Sequence, residues 1–243
     1  MQRVAILSDI HSNLQALRTV LARAEQLDCD TILCLGDIVG YGARPSECLE
    51  LMRSLDAVCV QGNHDALVSD SSQDLGFNPR SLAAVAHNRR LLTAEQLAWL
   101  GALPTRRELT DGTVLSHGSP DDRDRYLLAG IDLDREVEEQ ERRHGPGLTF
   151  FGHTHLPVCH QGGELRPQGP GTIELAPSRR VLVNPGSVGQ PRDGDPRAAF
   201  VLWDRPAGRL VFERLDYDIE AARAEILAAG LPERLGDRLR LGR

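Results

Sequence analysis

Side chains that commonly bind metal ions recur at five points along the first two thirds of the chain. Each group follows a short apolar run, and the five groups are Asp9 with His11, Gly36-Asp37, Gly62-Asn63-His64-Asp65, His117-Gly118 and Gly152-His153-Thr154-His155. Imidazole, carboxylate and amide groups suit Mn²⁺, Fe or Zn²⁺, and the groups lack the thiolates that are typical of a structural zinc site. The residue types therefore indicate metal-dependent chemistry.

Any one of these groups has a purely structural explanation. Asp, Asn and His side chains often satisfy backbone groups in a polar turn. Five such groups, each after an apolar strand, are harder to explain in this way. Carboxylates and imidazoles crowded at one sheet edge are costly to bury unless they pair or coordinate a metal. We therefore interpret the five groups as one site.

The elements that must position these groups follow from the hydrophobic pattern. Apolar runs at residues 4–7, 31–35 and 57–60 predict buried strands, and helical spacing at 14–24 and 45–55 predicts helices between them. This β-α-β-α-β order is typical of an α/β layered fold, in which the carboxyl ends of the strands meet at one edge. We expect the five groups to surround one site at that edge.

The rest of the chain predicts more of the same architecture. Further strands are predicted at residues 113–116, 148–151, 158–161, 180–183, 199–203 and 210–215, and a helix at 132–143. Two helical patterns in residues 79–103 predict a cap or flanking layer, and residues 218–243 predict two C-terminal helices. Residues 162–178, rich in Gly and Pro, favour a mobile loop. We predict one domain over residues 1–243.

The ordered set Asp-x-His, Gly-Asp, Gly-Asn-His-Asp, His and Gly-His-x-His resembles the calcineurin-like metallophosphoesterase superfamily over about residues 1–203. The resemblance implies an α/β fold of two packed mixed β-sheets flanked by helices, in four layers. It also implies one divalent cation held by Asp9, His11 and His155, a second held by Asn63, His117 and His153, and Asp37 bridging the two. Two cations roughly 3.5–4 Å apart would generate a bridging hydroxide for in-line attack on phosphorus. Mn²⁺ is the expected metal, with Fe and Zn²⁺ as alternatives.

The residues beside the ligand Asn63 have separate expectations. In the superfamily the position of His64 contacts the phosphate or protonates the leaving oxygen, and we predict that His64 is the general acid. Its alternative is a histidine that is only hydrogen-bonded within the turn. Asp65 could orient the His64 imidazole or hold the turn through backbone hydrogen bonds.

Departures from one branch of the superfamily narrow the expected substrate. Protein Ser/Thr phosphatases follow Gly-Asp with Asp-Arg-Gly, but Ile-Val-Gly-Tyr-Gly-Ala-Arg-Pro follows Asp37 here, so the phosphate-binding arginine is missing from its place. This segment and residues 183–192 resemble bacterial small phosphodiesterases and diadenosine tetraphosphate hydrolases. We predict hydrolysis of a phosphodiester or phosphoanhydride of a small molecule or nucleotide. The alternatives are a dinucleoside polyphosphate hydrolase, a protein Ser/Thr phosphatase and a metal-binding scaffold without activity.

Any contact between a Lys or Arg side chain and the substrate phosphate must come from arginine, because all 28 basic residues are arginines. Arg192 and Arg44 are the candidates for a phosphate, since a guanidinium can bind phosphate oxygens in pairs. Residues 184–192 are rich in Gly and could add backbone N–H groups. Tyr41 and Asn78 could contact a base or sugar, although each has an alternative role in packing or helix capping.

Bulk properties exclude some classes of protein. A formal net charge of −7 argues against broad nucleic-acid binding. No apolar run is long enough to span a bilayer, and the N-terminal residues lack a secretory signal. The five cysteines form no C-x-x-C pair and predict reduced thiols, so we expect a cytoplasmic enzyme, with a homo-oligomer as an open alternative.

Overall fold

The computed structural model describes residues 2–73, 76–128, 130–161, 164–167, 169–175 and 179–243. The helices are α1 (Leu14–Gln26), α2 (Pro45–Ser54), α3 (Asn63–Ser69), α4 (Pro79–Leu91), α5 (Ala94–Gly101), α6 (Gly130–His144), α7 (Ile219–Ala228) and α8 (Glu233–Asp237), with 3₁₀ turns at Ser71–Gln73 and Arg238–Leu241. The strands are β1 (Arg3–Leu7), β2 (Thr31–Cys34), β3 (Val58–Cys59), β4 (Arg106–Glu108), β5 (Val114–Ser116), β6 (Gly147–Phe150), β7 (Val158–Gln161), β8 (Glu164–Pro167), β9 (Gly171–Glu174), β10 (Arg180–Asn184), β11 (Ala198–Asp204) and β12 (Arg209–Leu215).

Within the described residues, the strands form two mixed sheets of six strands each. One sheet has the order β3-β2-β1-β11-β12-β9, in which β1, β2 and β3 run parallel and β11 is antiparallel to β1. The other has the order β4-β5-β6-β10-β7-β8, in which β5, β6 and β10 run parallel. The prediction of an α/β fold with two mixed sheets is confirmed.

Successive side chains of β1 face alternately toward the other sheet and toward the helices, and this alternation builds the layers of the fold. Val4 and Ile6 of β1 pack into the cluster between the sheets, which also contains Phe150 of β6. Ala5 and Leu7 point the other way and pack against α1, α2 and α3. Successive side chains of a strand face opposite sides, so a fully buried strand can serve two cores at once. Helix α6 covers the outer face of the second sheet, which completes the four layers.

Every helix that the sequence predicted is present among the described residues, and several have local signals at their starts. Helix α1 begins after Asn13, whose side chain accepts a hydrogen bond from the N–H of Ala16, and α5 begins with a capping box formed by Thr93 and Gln96. Helices α4 and α5 occupy the predicted helical segment 79–103. Helix α4 contacts α2 and α3, so it belongs to the flanking layer.

Four of the described helices and strands were not predicted. Helix α3 starts in the Gly-Asn-His-Asp group, and β4 pairs with β5 through an Arg-Arg-Glu run that has no apolar signal. The predicted mobile loop at 162–178 contains β8 and β9, which pair with β7 and β12. Residues 162, 163, 168 and 176–178 of that segment lie outside the described residues. Strand pairing supplied by a neighbour overrides the local preference of Gly and Pro.

The sequence also predicted that the chain has no membrane span and that its cysteines are reduced thiols. Within the part of the chain that the structure describes, no helix is both long and apolar enough to cross a membrane. All five cysteines are free thiols, and four of them are buried.

Candidate metal centre and substrate cleft

The site lies where the two sheets meet at the carboxyl ends of their parallel strands. The loops after β1, β2 and β3 carry the first three groups, and the loops after β5 and β6 carry the other two. The sequence pattern predicted a single sheet edge; the structure instead divides the groups between two sheets. The loops are joined by backbone hydrogen bonds such as His11 N–H to Asp37 O at 2.9 Å and Gly152 N–H to His117 O at 2.7 Å.

The backbone at the site is held in an uncommon conformation. Five of the predicted metal ligands have positive φ angles although none is glycine: Asp9 (53°), His11 (50°), Asp37 (53°), His153 (66°) and His155 (60°). Non-glycine residues in this region cost of order 1 kcal/mol or more each, and they persist where the surroundings determine them. Such a concentration of left-handed residues is typical of a functional site.

The first cluster contains Asp9, His11 and His155, all buried. The Nδ1 atoms of the two histidines lie against the backbone oxygens of Val39 and Gln190. A carbonyl can only accept a hydrogen bond, so each Nδ1 carries the proton and each Nε2 presents a lone pair. The two Nε2 atoms lie only 3.1 Å apart, and Nε2 of His155 lies 3.2 Å from Oδ1 of Asp9.

Three electron-rich atoms thus face one point. Oδ2 of Asp9 accepts hydrogen bonds from the hydroxyl of Ser8 and the backbone N–H of His153, whereas Oδ1 is buried and accepts none within the described structure. A buried carboxylate oxygen without a partner is unfavourable. A cation at this point would satisfy all three atoms, so the first cluster fits a metal ion.

The second cluster contains Asp37, Asn63, His117 and His153. Nδ1 of His117 donates to the backbone oxygen of Leu35 at 2.8 Å, and Nε2 of His153 donates to that of Asp124 at 3.1 Å. The opposite ring nitrogens therefore face the other side chains of the cluster, and they present lone pairs when the two rings are neutral. Nε2 of His117 lies 3.1 Å from Nδ1 of His153, 3.1 Å from Oδ1 of Asn63 and 3.3 Å from Oδ2 of Asp37. This cluster fits a second cation for the same reason.

Asp37 lies between the two clusters. Its Oδ2 is 3.3 Å from Nε2 of His117 and 3.6 Å from Nε2 of His11. Its Oδ1 accepts the backbone N–H of His64 at 2.9 Å. Burial opposes ionisation of this carboxyl, but His117 and the other imidazoles hold the pKa of Asp37 well below its usual range. The position and the charge are those expected of a bridging ligand.

The histidine titrations reflect the same crowding. Burial lowers the pKa of His153 to about 3, and His117 adds to that shift. Burial acts in the same direction on His117, but the nearby Asp37 carboxylate overcomes it and raises the pKa of His117 to about 9. Without a metal ion, a proton on His117 is the positive charge that offsets the buried carboxylates.

His64 and Asp65 have different surroundings. The His64 ring is 3% exposed, its Nδ1 has no hydrogen-bond partner in the described structure, and it contacts the rings of Tyr41 and Phe77. Burial lowers the pKa of His64 to about 4. Asp65 instead accepts the backbone N–H groups of Gly62 and Val39 at 3.0 and 3.1 Å. Of its two expected roles, the contacts of Asp65 are those of a residue that holds the turn.

An open cleft of about 300 Å³ lies beside the two clusters. Its walls include the predicted contact residues Tyr41, Asn78 and Arg192. The guanidinium of Arg192 donates to Oε1 of Gln190 at 3.2 Å and lies 5.9 Å from the Tyr41 ring, while its Nε is buried without a partner in the described structure. Arg192 therefore retains hydrogen-bonding capacity for an anion in the cleft.

Comparison with known proteins agrees with this arrangement. Residues 2–205 match the calcineurin-like phosphoesterase superfamily domain. The chain belongs to this superfamily. An uncharacterised protein of Methanocaldococcus jannaschii is 38% identical over 246 residues, which cover 99% of this chain and 98% of that protein. A metallophosphoesterase from Sphaerobacter thermophilus has a similar structure, with a TM-score of 0.86, 37% identity and 99% of both chains covered. Phosphodiesterase YfcE of Escherichia coli is 26% identical over 212 residues, covering 83% of this chain and 88% of YfcE.

As a member of the calcineurin-like phosphoesterase superfamily, this protein is a phosphoric ester hydrolase. The superfamily is metal-dependent, and the described residues contain His and Asp clusters able to hold a metal ion. The residues expected from the motif to hold metal lie together in the structure, in two sets that share Asp37.

Two expectations about phosphate contacts do not agree with the geometry of this phosphoesterase. Arg44 lies at the start of α2, where it pairs with Glu47 at 3.2 Å and with Glu225 of α7 at 3.0 Å. It does not belong to the described lining of the cleft. The backbone N–H groups of Val188 and Gly189 bond to the β1 loop, so the Gly-rich segment contributes the Arg192 side chain to the cleft and uses these amides to join the loops.

The cleft of the phosphoesterase also contains residues that sequence reasoning missed. Tyr126 stacks against His153 with ring centroids 3.8 Å apart and is 45% exposed, and Phe77 contacts His64. Arg123 lines the cleft and donates to Gln61 at 2.8 Å. The available signal was weak: aromatic residues form only 4% of the chain, and Tyr126 stands in a polar segment shortly after the ligand candidate His117.

Proposed function

We propose that this protein hydrolyses a phosphodiester or phosphoanhydride of a small molecule or nucleotide at a pair of divalent cations. The observation that carries the proposal is the convergence of lone pairs: three acceptor atoms in one cluster and four in the other, with the Asp37 carboxylate between them. Asp9, His11 and His155 would hold one cation, and Asn63, His117 and His153 the other. Asp37 would contact both.

The donor set guides the choice of metal. Imidazole nitrogens, carboxylate oxygens and one amide oxygen suit Mn²⁺, which we propose, and are also compatible with Fe and Zn²⁺. When bound, two such cations supply an activated water as nucleophile and polarise the phosphoryl oxygens. The backbone carbonyls that hold the outer nitrogens of the four histidines fix their tautomers, so the ligands are oriented before any metal binds.

Two side chains of the protein, Arg192 and His64, would contact the substrate. Arg192 would bind a phosphate oxygen through its guanidinium, because it borders the cleft and has an unpartnered Nε. His64 would donate a proton to the leaving oxygen. Burial makes His64 neutral in the free protein, and an arriving phosphate anion would favour its protonated form.

The surroundings of the metal clusters favour a small organic phosphate. Tyr41, Tyr126 and Phe77 give the cleft aromatic surfaces on which a base or an aryl group could rest. One relative, YfcE, is named a phosphodiesterase. The arginine that follows Gly-Asp in protein Ser/Thr phosphatases is missing from its place in this sequence. These observations favour a phosphodiesterase over a protein phosphatase.

Two substitutions test the metal site. Asp37→Asn should lose most bound metal and nearly all activity toward an aryl phosphodiester, measured by elemental analysis and initial rates with Mn²⁺. Wild-type protein should hold two ions per chain. Asp56→Asn is the matched control, because Asp56 also has a positive φ angle (48°) but is exposed and outside the site. Full activity and full metal content in Asp37→Asn would contradict the proposal.

A second variant tests the general acid. His64→Ala should keep its metal and lose much more rate on substrates with poor leaving groups than on activated aryl esters, because general acid catalysis contributes typically about 10²–10⁴-fold. An equal loss on all leaving groups would assign His64 to phosphate binding instead.

A panel of an aryl phosphodiester, an aryl phosphomonoester, cyclic nucleotides, diadenosine tetraphosphate and a phosphopeptide would rank the substrates. Preference for the phosphopeptide would contradict the proposed class.

A further inference from the structure

A second, smaller pocket adjoins the cleft on the side away from the metal clusters. It measures about 50 Å³, and its lining includes Tyr41, Asn78, Ser81, Arg80, Arg234 and Arg238. Tyr41, Asn78 and Ser81 border both the cleft and this pocket. The pocket and the cleft are therefore neighbours.

Three arginines from two distant parts of the chain meet at this pocket. Arg80 is in the first turn of α4, while Arg234 and Arg238 come from the C-terminal segment that contains α8. The guanidinium carbons of Arg192 and Arg238 each lie 5.9 Å from the centre of the Tyr41 ring. A path of positive charge thus runs from Arg192, beside the metal clusters, past Tyr41 to the pocket.

These charges are not balanced by nearby side-chain carboxylates. Among the described residues, no side-chain carboxylate lies within 4.0 Å of the guanidinium nitrogens of Arg80, Arg234 or Arg238, and no acidic residue lines the pocket. The neighbouring acids Glu233 and Asp237 both pair with Arg223. The Nε of Arg238 donates to the backbone oxygen of Arg243.

The cluster lies in a chain with a formal net charge of −7. Other arginines, such as Arg44, Arg53 and Arg223, have a carboxylate partner. Burial, reinforced by Arg192, lowers the pKa of Arg238 to about 10. Like charges held together repel one another, and an anion bound among them would relieve that repulsion.

We infer that Arg80, Arg234 and Arg238 form a subsite for a second phosphate group of the substrate. This inference deepens the proposed function, since it requires the scissile phosphate to lie at the metal clusters while another phosphate of the same molecule reaches past Tyr41. The substrate class is then a small molecule or nucleotide that carries at least two phosphate groups. A simple phosphodiester would bind more weakly because it leaves the arginines without a partner.

The experiment compares ligands that differ by one phosphate. Binding of adenosine 5′-monophosphate, adenosine 5′-diphosphate and adenosine 3′,5′-bisphosphate to Mn²⁺-loaded protein is measured by calorimetry, and aryl phosphodiester turnover is measured on the same samples. The test variant is Arg80→Gln/Arg234→Gln, because both side chains are exposed and outside the metal clusters. The matched control is Arg107→Gln/Arg135→Gln, two exposed arginines on β4 and α6 that change the net charge equally.

The expected result is selective. Wild-type protein should bind at least one of the two-phosphate ligands about tenfold or more tightly than the monophosphate, since charge-assisted hydrogen bonds are the strong ones. The test variant should lose most of this advantage and keep its monophosphate affinity, its aryl phosphodiester turnover and its melting temperature. The control should behave like wild type, and Arg238→Gln should repeat the loss.

Other results overturn the inference. Equal affinity of wild-type protein for all three ligands would do so. The inference would also fail if the test variant still bound a two-phosphate ligand more tightly than the monophosphate by the wild-type factor. It would fail as well if the control variant lost this preference as much as the test variant. These outcomes are separate from failure of the proposed function. That failure would be absence of phosphodiester turnover in metal-loaded wild-type protein, and the binding comparison could still be read in that case.

Discussion

Replacement of Gly62 by alanine should displace the carboxylate between the two metal clusters. Gly62 has φ −84° and ψ 172°, a conformation that any residue adopts, so the substitution brings no backbone strain. An added Cβ would lie 2.0 Å from Oδ1 of Asp37 and 2.3 Å from its backbone nitrogen. A carbon and an oxygen in contact are normally about 3.3 Å or more apart, so the Asp37 carboxylate or its loop must move by roughly 1.3 Å.

The size of this shift sets the expected effect. A misplacement of about 1 Å at a reacting centre can reduce the rate by about 10²-fold, which corresponds to about 2.7 kcal/mol of transition-state stabilisation. Asp37 faces both clusters, so the affinity for metal should also fall, by about 10–100-fold. Overpacking should lower the free energy of unfolding by about 1–3 kcal/mol. We expect Gly62→Ala to fold, bind Mn²⁺ weakly and turn over an aryl phosphodiester at about one hundredth of the wild-type kcat/KM.

The assay combines initial rates over a range of Mn²⁺ concentrations with calorimetric metal titration. Gly101→Ala is the matched control, because a Cβ added at the end of α5 would meet the Ser69 side chain at an ordinary distance of 3.5 Å. That variant should equal wild type in rate and metal affinity. If Gly62→Ala retained both properties within about threefold, the idea that close packing of Gly62 positions Asp37 would be refuted.

Substitutions at three further residues test other parts of the structure. Asp65→Ala should lower the free energy of unfolding by about 2–4 kcal/mol in urea titrations, because two buried backbone N–H groups lose their acceptor. The free energy of unfolding of Asp65→Asn should lie between those of wild type and Asp65→Ala. Arg180→Met should lower the free energy of unfolding by about 2–4 kcal/mol in the same measurement without changing the kcat/KM of folded protein, because the carbonyls of Gly145 and Leu148, far from the cleft, lose their donor. Burial raises the pKa of Glu136 above its usual value of 4.5. The unfolded chain therefore ionises first, and the folded state loses stability as pH rises from the unfolded pKa to the folded one. Glu136→Gln should consequently melt at a higher temperature than wild type at pH 8, and the difference should disappear toward pH 4; a constant difference at both pH values would contradict this.

Much of the fold could be predicted because its signals are local. Buried strands such as β1 and β2 are short apolar runs, and α1 repeats its apolar residues at helical spacing. The strands and helices that were missed have no such signal of their own. Strand β4 is an Arg-Arg-Glu run that forms a strand because β5 offers a partner, and β9 is held by β12.

The sequence by itself determined which residue types the site contains, because metal-binding groups stand next to one another in the motifs and need no folding to be recognised. Only the tertiary structure decided how those groups are used. Two sheets, and not one edge, bring the groups together, and carbonyls distant in the chain, such as Leu35 for His117, fix which ring nitrogen faces the metal position. Packing also separates the two arginine candidates, since Arg44 meets Glu225 of α7 while Arg192 faces the cleft. These outcomes depend on contacts between residues that are 82 positions apart for Leu35 and His117 and 181 for Arg44 and Glu225, which no local pattern encodes.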